Sequence, residues 1–544
     1  MTISRRNLLK VGGLGALGAA GLALPLGQLI QTKSPSRLPA NLMPKPFQVN
    51  FVRPPVLAPT SSAPDADGVL TNYFAVTEMQ ANANLVPGVI TPMWTYNGTF
   101  PGPTIKVMQG ERAVLRVRNK LPATHPLFGE PFKTSVHLHG SSSQPQYDGY
   151  ANDVTSPGWY KDYHYPNIQA ARTLWYHDHA VHNTAPQVYS GLAAQYHMHD
   201  QTELSLLPQG RYDVPLIIND VMFAANGALG YDDRNHSGLY GDVILVNGKP
   251  WPVMKVKRAI YRFRGLNASL SRSFRPTLST GDAVHMVATD AGLIPRSQAV
   301  ANWRHGQAER YEFLIDFRQY TVGQRIELQN LSNPKNLDFT NTNKIMAFDV
   351  SDDSVVDDDL GGPDTDADWT IDSIPDLLST APVMNLTAND AVRTTSIRVE
   401  HSDVTNEWLI NGHRWQDVVD SGFTLNVATP DLDDIEVWEI ENKGGGWFHP
   451  VHIHLIDFKI LTRNGKPPFA YEKGPKDVVY VGPGEKIRAV MRFEHQRGRY
   501  MIHCHNLVHE DHDMMQQFTV GLTPGVPDPN DPVTADPPKL DNLP

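Results

Sequence analysis

The sequence predicts an all-β protein built from three similar units, and three observations point to it. The first is a weak internal repeat. Ala113-Val114-Leu115-Arg116-Val117-Arg118-Asn119 returns in altered form as Ala259-Ile260-Tyr261-Arg262-Phe263-Arg264, leading to Asn267. It returns again as Glu436-Val437-Trp438-Glu439-Ile440-Glu441-Asn442. Each copy alternates apolar and polar residues with the period of a half-buried strand and closes on a turn residue. The copies stand about 150 to 175 residues apart, which is the size of a domain. The second observation is composition: 43 prolines and 41 glycines favour short strands and many turns. The third is length, since 544 residues exceed one ordinary domain.

The first unit is expected over residues 45–206, the second over 207–360 and the third over 361–522, with an extended Pro/Asp-rich tail at 523–544. The acidic run around Asp357-Asp358-Asp359-Leu360-Gly361-Gly362 reads as a solvated linker. Residues 1–44 read as a signal and loose leader. Ser4-Arg5-Arg6-Asn7-Leu8-Leu9-Lys10 has the twin-arginine pattern, and a Gly/Ala-rich apolar stretch follows it. That stretch is too short and glycine-rich for a membrane anchor. The expectation is export through the twin-arginine machinery to the periplasm or the outside. The net charge of −11 argues against nucleic acid as the main partner. The single cysteine excludes an intramolecular disulfide.

That cysteine lies in His503-Cys504-His505-Asn506-Leu507-Val508-His509-Glu510-Asp511-His512-Asp513-Met514. One thiolate, two imidazoles and a weak thioether form the ligand set of a mononuclear electron-transfer copper site. Cys504, His509 and Met514 supply three of those four. On an extended segment, neighbours point to opposite faces, so His503 and His505 look away from Cys504 toward a second site. In His449-Pro450-Val451-His452-Ile453-His454, His452 and His454 share one parity and His449 has the other. His449 completes the mononuclear set. His452 and His454 join His503, His505 and the H-x-H pairs His137/His139 and His177/His179 in a multi-copper cluster. Zinc fits poorly, because one thiolate among so many imidazoles is not a usual structural zinc set. His197-Met198-His199 has no place in this scheme.

The four segments, in this order, resemble the ligand motifs of the multicopper oxidases, most nearly the branch of bilirubin oxidases and bacterial spore-coat laccases. Trp175-Tyr176-His177-Asp178-His179-Ala180, Asp213-Val214-Pro215-Leu216-Ile217-Ile218, the run from Tyr261 to Ser269 and Lys476-Asp477-Val478-Val479 are similar to that branch too. The resemblance implies three cupredoxin-like Greek-key β-sandwich domains and four copper ions per chain. It assigns His137 and His452 to a type 2 copper. It assigns His139, His177, His179, His454, His503 and His505 to a type 3 pair, and His449, Cys504, His509 and Met514 to type 1. It further implies a small-molecule reductant, a phenol, aromatic amine or bilirubin-like tetrapyrrole, with O2 as oxidant. Glu510 and Asp148 match carboxylates that supply protons, and both are expected to stay ionised beside the cations. His509 matches the ligand that faces the substrate. Trp447 either lines that site or is buried packing. All ligands fall in the outer thirds, so those two must meet, with the middle third as a spacer.

Two other classes compete. A cuprous or ferrous metal oxidase would carry a Met-rich insert, whereas the 15 methionines here are scattered. A non-enzymatic cell-envelope protein of the same fold would have lost ligands, and every position is filled.

Overall fold

The computed structural model describes residues 34–126, 129, 131–352, 367–378, 380–523 and 525–542. The twin-arginine motif and most of the acidic linker lie outside them.

Six sheets fall into three pairs along the chain. Residues 61–199 form a six-stranded sheet, completed by Lys539–Leu540, and a four-stranded one. Residues 213–351 form sheets of seven and four strands, and residues 393–520 sheets of five and four. No α-helix among the described residues exceeds six residues. None is long and apolar enough to cross a membrane.

The repeat seen in the sequence is one topological strand used three times. Arg112–Asn119 runs parallel to Leu70–Val86 and antiparallel to Trp159–Tyr165. Ile260–Asn267 runs parallel to Asp213–Val221 and antiparallel to Arg310–Asp316, and Ile435–Asn442 sits likewise between Arg393–Ser402 and Lys486–Arg492. The closing asparagine has the same task each time. Its side-chain oxygen accepts the backbone N–H two residues on: Leu121, Ser269 and Gly444. Its amide donates into the following loops: to Phe132 and Thr155 carbonyls from Asn119, Arg272 and His305 from Asn267, Trp447 and Val481 from Asn442. All three asparagines are buried. No aliphatic side chain of that size could satisfy these groups away from water.

Two expectations need correction. Ile260–Asn267 is buried at every position rather than on one face. Its polar residues Arg262 and Arg264 lie among the buried carboxylates of Glu203, Asp213 and Glu312, so charge pairing replaces solvent. The leader is not loose up to 44: Leu38 is buried and Arg37 donates its N–H to the Phe223 carbonyl at 2.7 Å. The tail runs back onto the first third, where Lys539–Leu540 pairs with Trp159–Tyr160 and Tyr147 donates to Asp536 at 2.8 Å.

Candidate metal centre

Gly498–Cys504 is an inner strand between His449–Ile453 and Met515–Val520, with Cys504 opposite Val451 and His503 opposite His452. Alternation along the pleat separates Cys504 from its two histidine neighbours. On one side, Cys504 Sγ lies 3.4 Å from His449 Nδ1 and 3.7 Å from His509 Nδ1, and those two nitrogens are 3.3 Å apart. His509 reaches back from the short helix Leu507–Asp511. Met514 is buried and pinned to both neighbours: Cys504 N–H donates to its carbonyl, and its own N–H donates to the His509 carbonyl. A Cβ at Gly444 would fall 2.8 Å from His449 Nε2, so only glycine admits this ring. Burial pushes the Cys504 thiol up, so a thiolate here needs a bound cation.

On the other side, eight buried imidazoles converge, and outer hydrogen bonds fix the tautomers of five of them. His137 Nδ1 donates to the Asp148 carbonyl, His177 Nδ1 to the Asp178 carbonyl at 2.8 Å and His452 Nδ1 to the Asp477 carbonyl at 2.7 Å. A carbonyl only accepts, so each of these rings carries its proton on Nδ1 and turns a lone pair inward on Nε2. His454 does the same through the Asp148 carboxylate at 2.8 Å, and His503 Nδ1 lies 2.9 Å from Glu510. His139 is reversed. Its Nε2 faces Asp477 at 3.0 Å, leaving Nδ1 free.

The inward atoms then confront one another. His137 Nε2 is 3.4 Å from His452 Nε2, His179 Nε2 is 3.2 Å from His503 Nε2, and His454 Nε2 is 3.1 Å from His503 Nε2. His139 Nδ1, His177 Nε2 and His505 Nε2 are buried with no hydrogen-bond partner. Two lone pairs cannot bond each other, and burial holds the pKa values of His137, His452 and His454 far below the imidazole range. A soft cation accepting several nitrogens satisfies all of these atoms together, so the donor set fits copper. The groups that could hold a metal are His137/His139/His452, His139/His177/His505, His179/His454/His503, His137/Asp148/His454 and His449/Cys504/His509.

The cluster joins the outer thirds, as the ligand parity requires. His139 stacks on His452 with centroids 3.6 Å apart, and His137 on His454 at 4.0 Å. The middle third is more than a spacer. Arg310 donates to the Asp477 carboxylate and to the Thr173 carbonyl, touching both outer thirds at once. Asp477 in turn orients His139 with its carboxylate and His452 with its carbonyl.

Glu510 lies 2.9 Å from His503 Nδ1 and 3.5 Å from His179 Nε2. Burial alone would raise its carboxyl, but His503 and His179 outweigh burial and hold it at about 2. The Asp148 carboxylate accepts from His454 Nδ1 at 2.8 Å. Burial pushes its carboxyl well up, and only the charge of a bound cation would oppose that.

His509 is fully buried and does not meet solvent directly. Trp408 stacks on it at 3.9 Å, Trp447 meets it edge-to-face at 5.8 Å, and its Nε2 donates to the Ser237 carbonyl at 3.0 Å. Ser237 and Trp447 both line an open groove of about 1270 Å³. Sequence reasoning missed Arg310, Asp477, Trp408 and Ser237. The charged pair Lys476-Asp477 before an apolar strand was a usable signal; Ser237 and Trp408 carry none.

Residues 77–203 and 383–523 match family models described as multicopper oxidase, and every histidine and cysteine discussed above as a candidate ligand falls inside those two spans. The chain is 39% identical to a bilirubin oxidase of Albifimbria verrucaria, over 79% of this chain and 73% of that one. It is 34% identical to a laccase of Bacillus subtilis, over 82% and 94%. The crystal structure of the multicopper oxidase McoA of Aquifex aeolicus superposes with a TM-score of 0.73 at 27% identity, covering 88% of this chain and all of the other. With its histidines aimed inward in pairs and its one cysteine strung between two such sites, the chain belongs to the multicopper oxidase family.

Proposed function

We propose that this protein oxidises phenols, aromatic amines or bilirubin-like tetrapyrroles one electron at a time and passes four electrons to O2, giving two waters. The carrying observation is the backbone link His503-Cys504-His505, whose cysteine faces one donor set and whose histidines face another. We assign His449, Cys504, His509 and Met514 to type 1, His137 and His452 to type 2, and the other six histidines to type 3. Four copper ions so held would supply the one-electron couple on the Cys504 side and the multi-electron reduction of O2 on the histidine side.

The remaining chemistry belongs to the side chains. Trp447 and Ser237 place the reductant within one contact of His509, and the covering groove wall keeps that ring dry. Glu510 and Asp148 serve proton delivery. Glu510 stays ionised and accepts protons from solvent-derived water, while Asp148 holds His137 and His454 in their metal-facing tautomers. Arg310 and Asp477 fix His139 and His452 from behind.

We assign the domains to residues 45–206, 207–360 and 361–522, in keeping with the three sheet pairs, and the twin-arginine motif to export to the periplasm or beyond. The test is O2 consumption by copper-loaded protein given bilirubin, a phenol or Fe(II) under identical conditions. Uptake with an organic donor supports the assignment; uptake with Fe(II) alone, or none, overturns it.

A further inference from the structure

The groove beside His509 has a charge character opposite to the rest of the molecule. The chain carries a net −11, yet the groove is lined by Arg37, Arg234 and Lys335 against the single carboxylate of Asp232. Asp232 is already engaged by Arg234 at 2.5 Å. Neither Arg37 nor Lys335 has a carboxylate partner among the described residues. Both cations are exposed, and the Arg37 backbone is held by its N–H bond to the Phe223 carbonyl. The same walls present the half-buried ring of Trp447, with Phe223 and Phe339 buried behind the surface.

We propose that this groove selects aromatic reductants bearing an acidic group, with Arg37 and Lys335 as the specificity-determining residues; this rests on the oxidase reading above. Charge complementarity decides for this occupant: the Trp447 face beside cations with no carboxylate partner among the described residues favours a planar anion over a neutral ring or a metal cation. The geometry also sets the orientation. Lys335 Nζ lies beside Gly446, next to Trp447 in the chain, so a ring whose acidic group meets Lys335 lies toward Trp447, and the Ser237 carbonyl already holds His509 Nε2–H. The donor would lose one electron to a copper ion held at Cys504, with that hydrogen bond linking the groove wall to His509. A phenolic donor releases its proton to solvent, and O2 is the final oxidant.

The test separates binding from turnover. Isothermal titration of copper-loaded protein would compare 4-methoxycinnamate, which has no oxidisable phenol, with its methyl ester. KM for O2 uptake would be compared between ferulate and methyl ferulate. The expected result is tighter binding of each acid than of its ester. Lys335→Asn or Arg37→Gln should each reduce that preference by about threefold to fivefold, and about 0.5 M salt should nearly abolish it. Asparagine suits position 335 because its φ is +70°, a backbone conformation asparagine tolerates. Equal binding of acid and ester, or a preference that survives both substitutions and salt, overturns the proposal. An acid preference in binding without oxygen uptake from either phenol, an aromatic amine or bilirubin supports the groove and overturns the oxidase reading instead.

Discussion

His137 and His452 stand 315 positions apart in the chain, yet they turn unprotonated ring nitrogens toward each other across 3.4 Å. Each is locked in that state from behind by a backbone carbonyl, of Asp148 and of Asp477. The protein thus spends two buried lone pairs at one point between its outer thirds, an arrangement stable only around a cation. Replacing His452 by alanine removes one donor and leaves Cys504 and its partners untouched. The expected result is a protein that keeps its blue colour but binds less copper and loses more than about 100-fold in O2 turnover, beyond what loss of an orienting partner costs. Copper content together with the visible spectrum checks it.

Glu510 is close to two rings of the cluster, at 2.9 Å from His503 and 3.5 Å from His179. Glutamine keeps the shape but can neither take up nor release a proton as a carboxylate does. Glu510→Gln should retain full copper and the blue colour while O2 turnover falls by about 100-fold or more, the usual range for a positioned acid–base group. Unchanged turnover at full copper loading would remove Glu510 from proton delivery.

Much of the centre was legible because strand periodicity is a local property. The opposite parity of Cys504 and its neighbours, and of His449 against His452 and His454, depends only on the two-residue repeat of a pleat. The three recurring asparagines were legible as turn residues, although their shared hydrogen-bonding task was not. What escaped was nonlocal. Arg310 and Asp477 are 167 positions apart, and nothing near either announces the other. Ser237 acts through its carbonyl, which every residue has. The full burial of Ile260–Asn267 also reads wrongly from sequence, because arginines alternating with apolar residues describe an exposed face until their carboxylate partners are known.

The asparagine task makes a stability prediction. Asn267→Ala leaves the Arg272 carbonyl and the Ser269 N–H unpaired in a dry interior and takes from the His305 carbonyl one of its two donors, the Phe274 N–H remaining. Each buried orphan costs about 1–3 kcal/mol. The apparent melting temperature of copper-loaded protein should fall by about 5 °C or more, while the visible spectrum of the surviving folded fraction stays the same. A shift within scan error would mean that water replaces the amide.

Arg310→Met tests whether the middle third acts on the cluster. Methionine preserves the volume but strips Asp477 of its partner and leaves a buried carboxylate uncompensated, a loss of about 3–5 kcal/mol. Because Asp477 orients both His139 and His452, copper affinity or turnover should also drop about 10- to 100-fold. Arg310→Met with Asp477→Asn should recover part of the stability without recovering the turnover. Full recovery of both would reduce the pair to a structural tie.

His305 offers a pH test away from the ligands. Its Nε2–H donates to the Glu309 carbonyl at 2.8 Å while Nδ1 has no partner, and burial is the main reason its pKa falls from 6.5 to about 4. A depressed pKa means that the unfolded chain binds the proton more readily than the folded one. The stability that the neutral ring contributes is therefore complete above pH 6.5 and is lost as the pH falls toward 4. Glutamine at this position can keep the bond to Glu309 and has no proton to gain. Comparing wild type with His305→Gln at pH 7 and again near 4.5 cancels the contributions of all other buried histidines, because they are common to both proteins. The variant's disadvantage at neutral pH should shrink or reverse by about 2–3 kcal/mol in acid, as read by chemical denaturation. A constant gap across that range would mean that His305 takes up its proton without opening the fold.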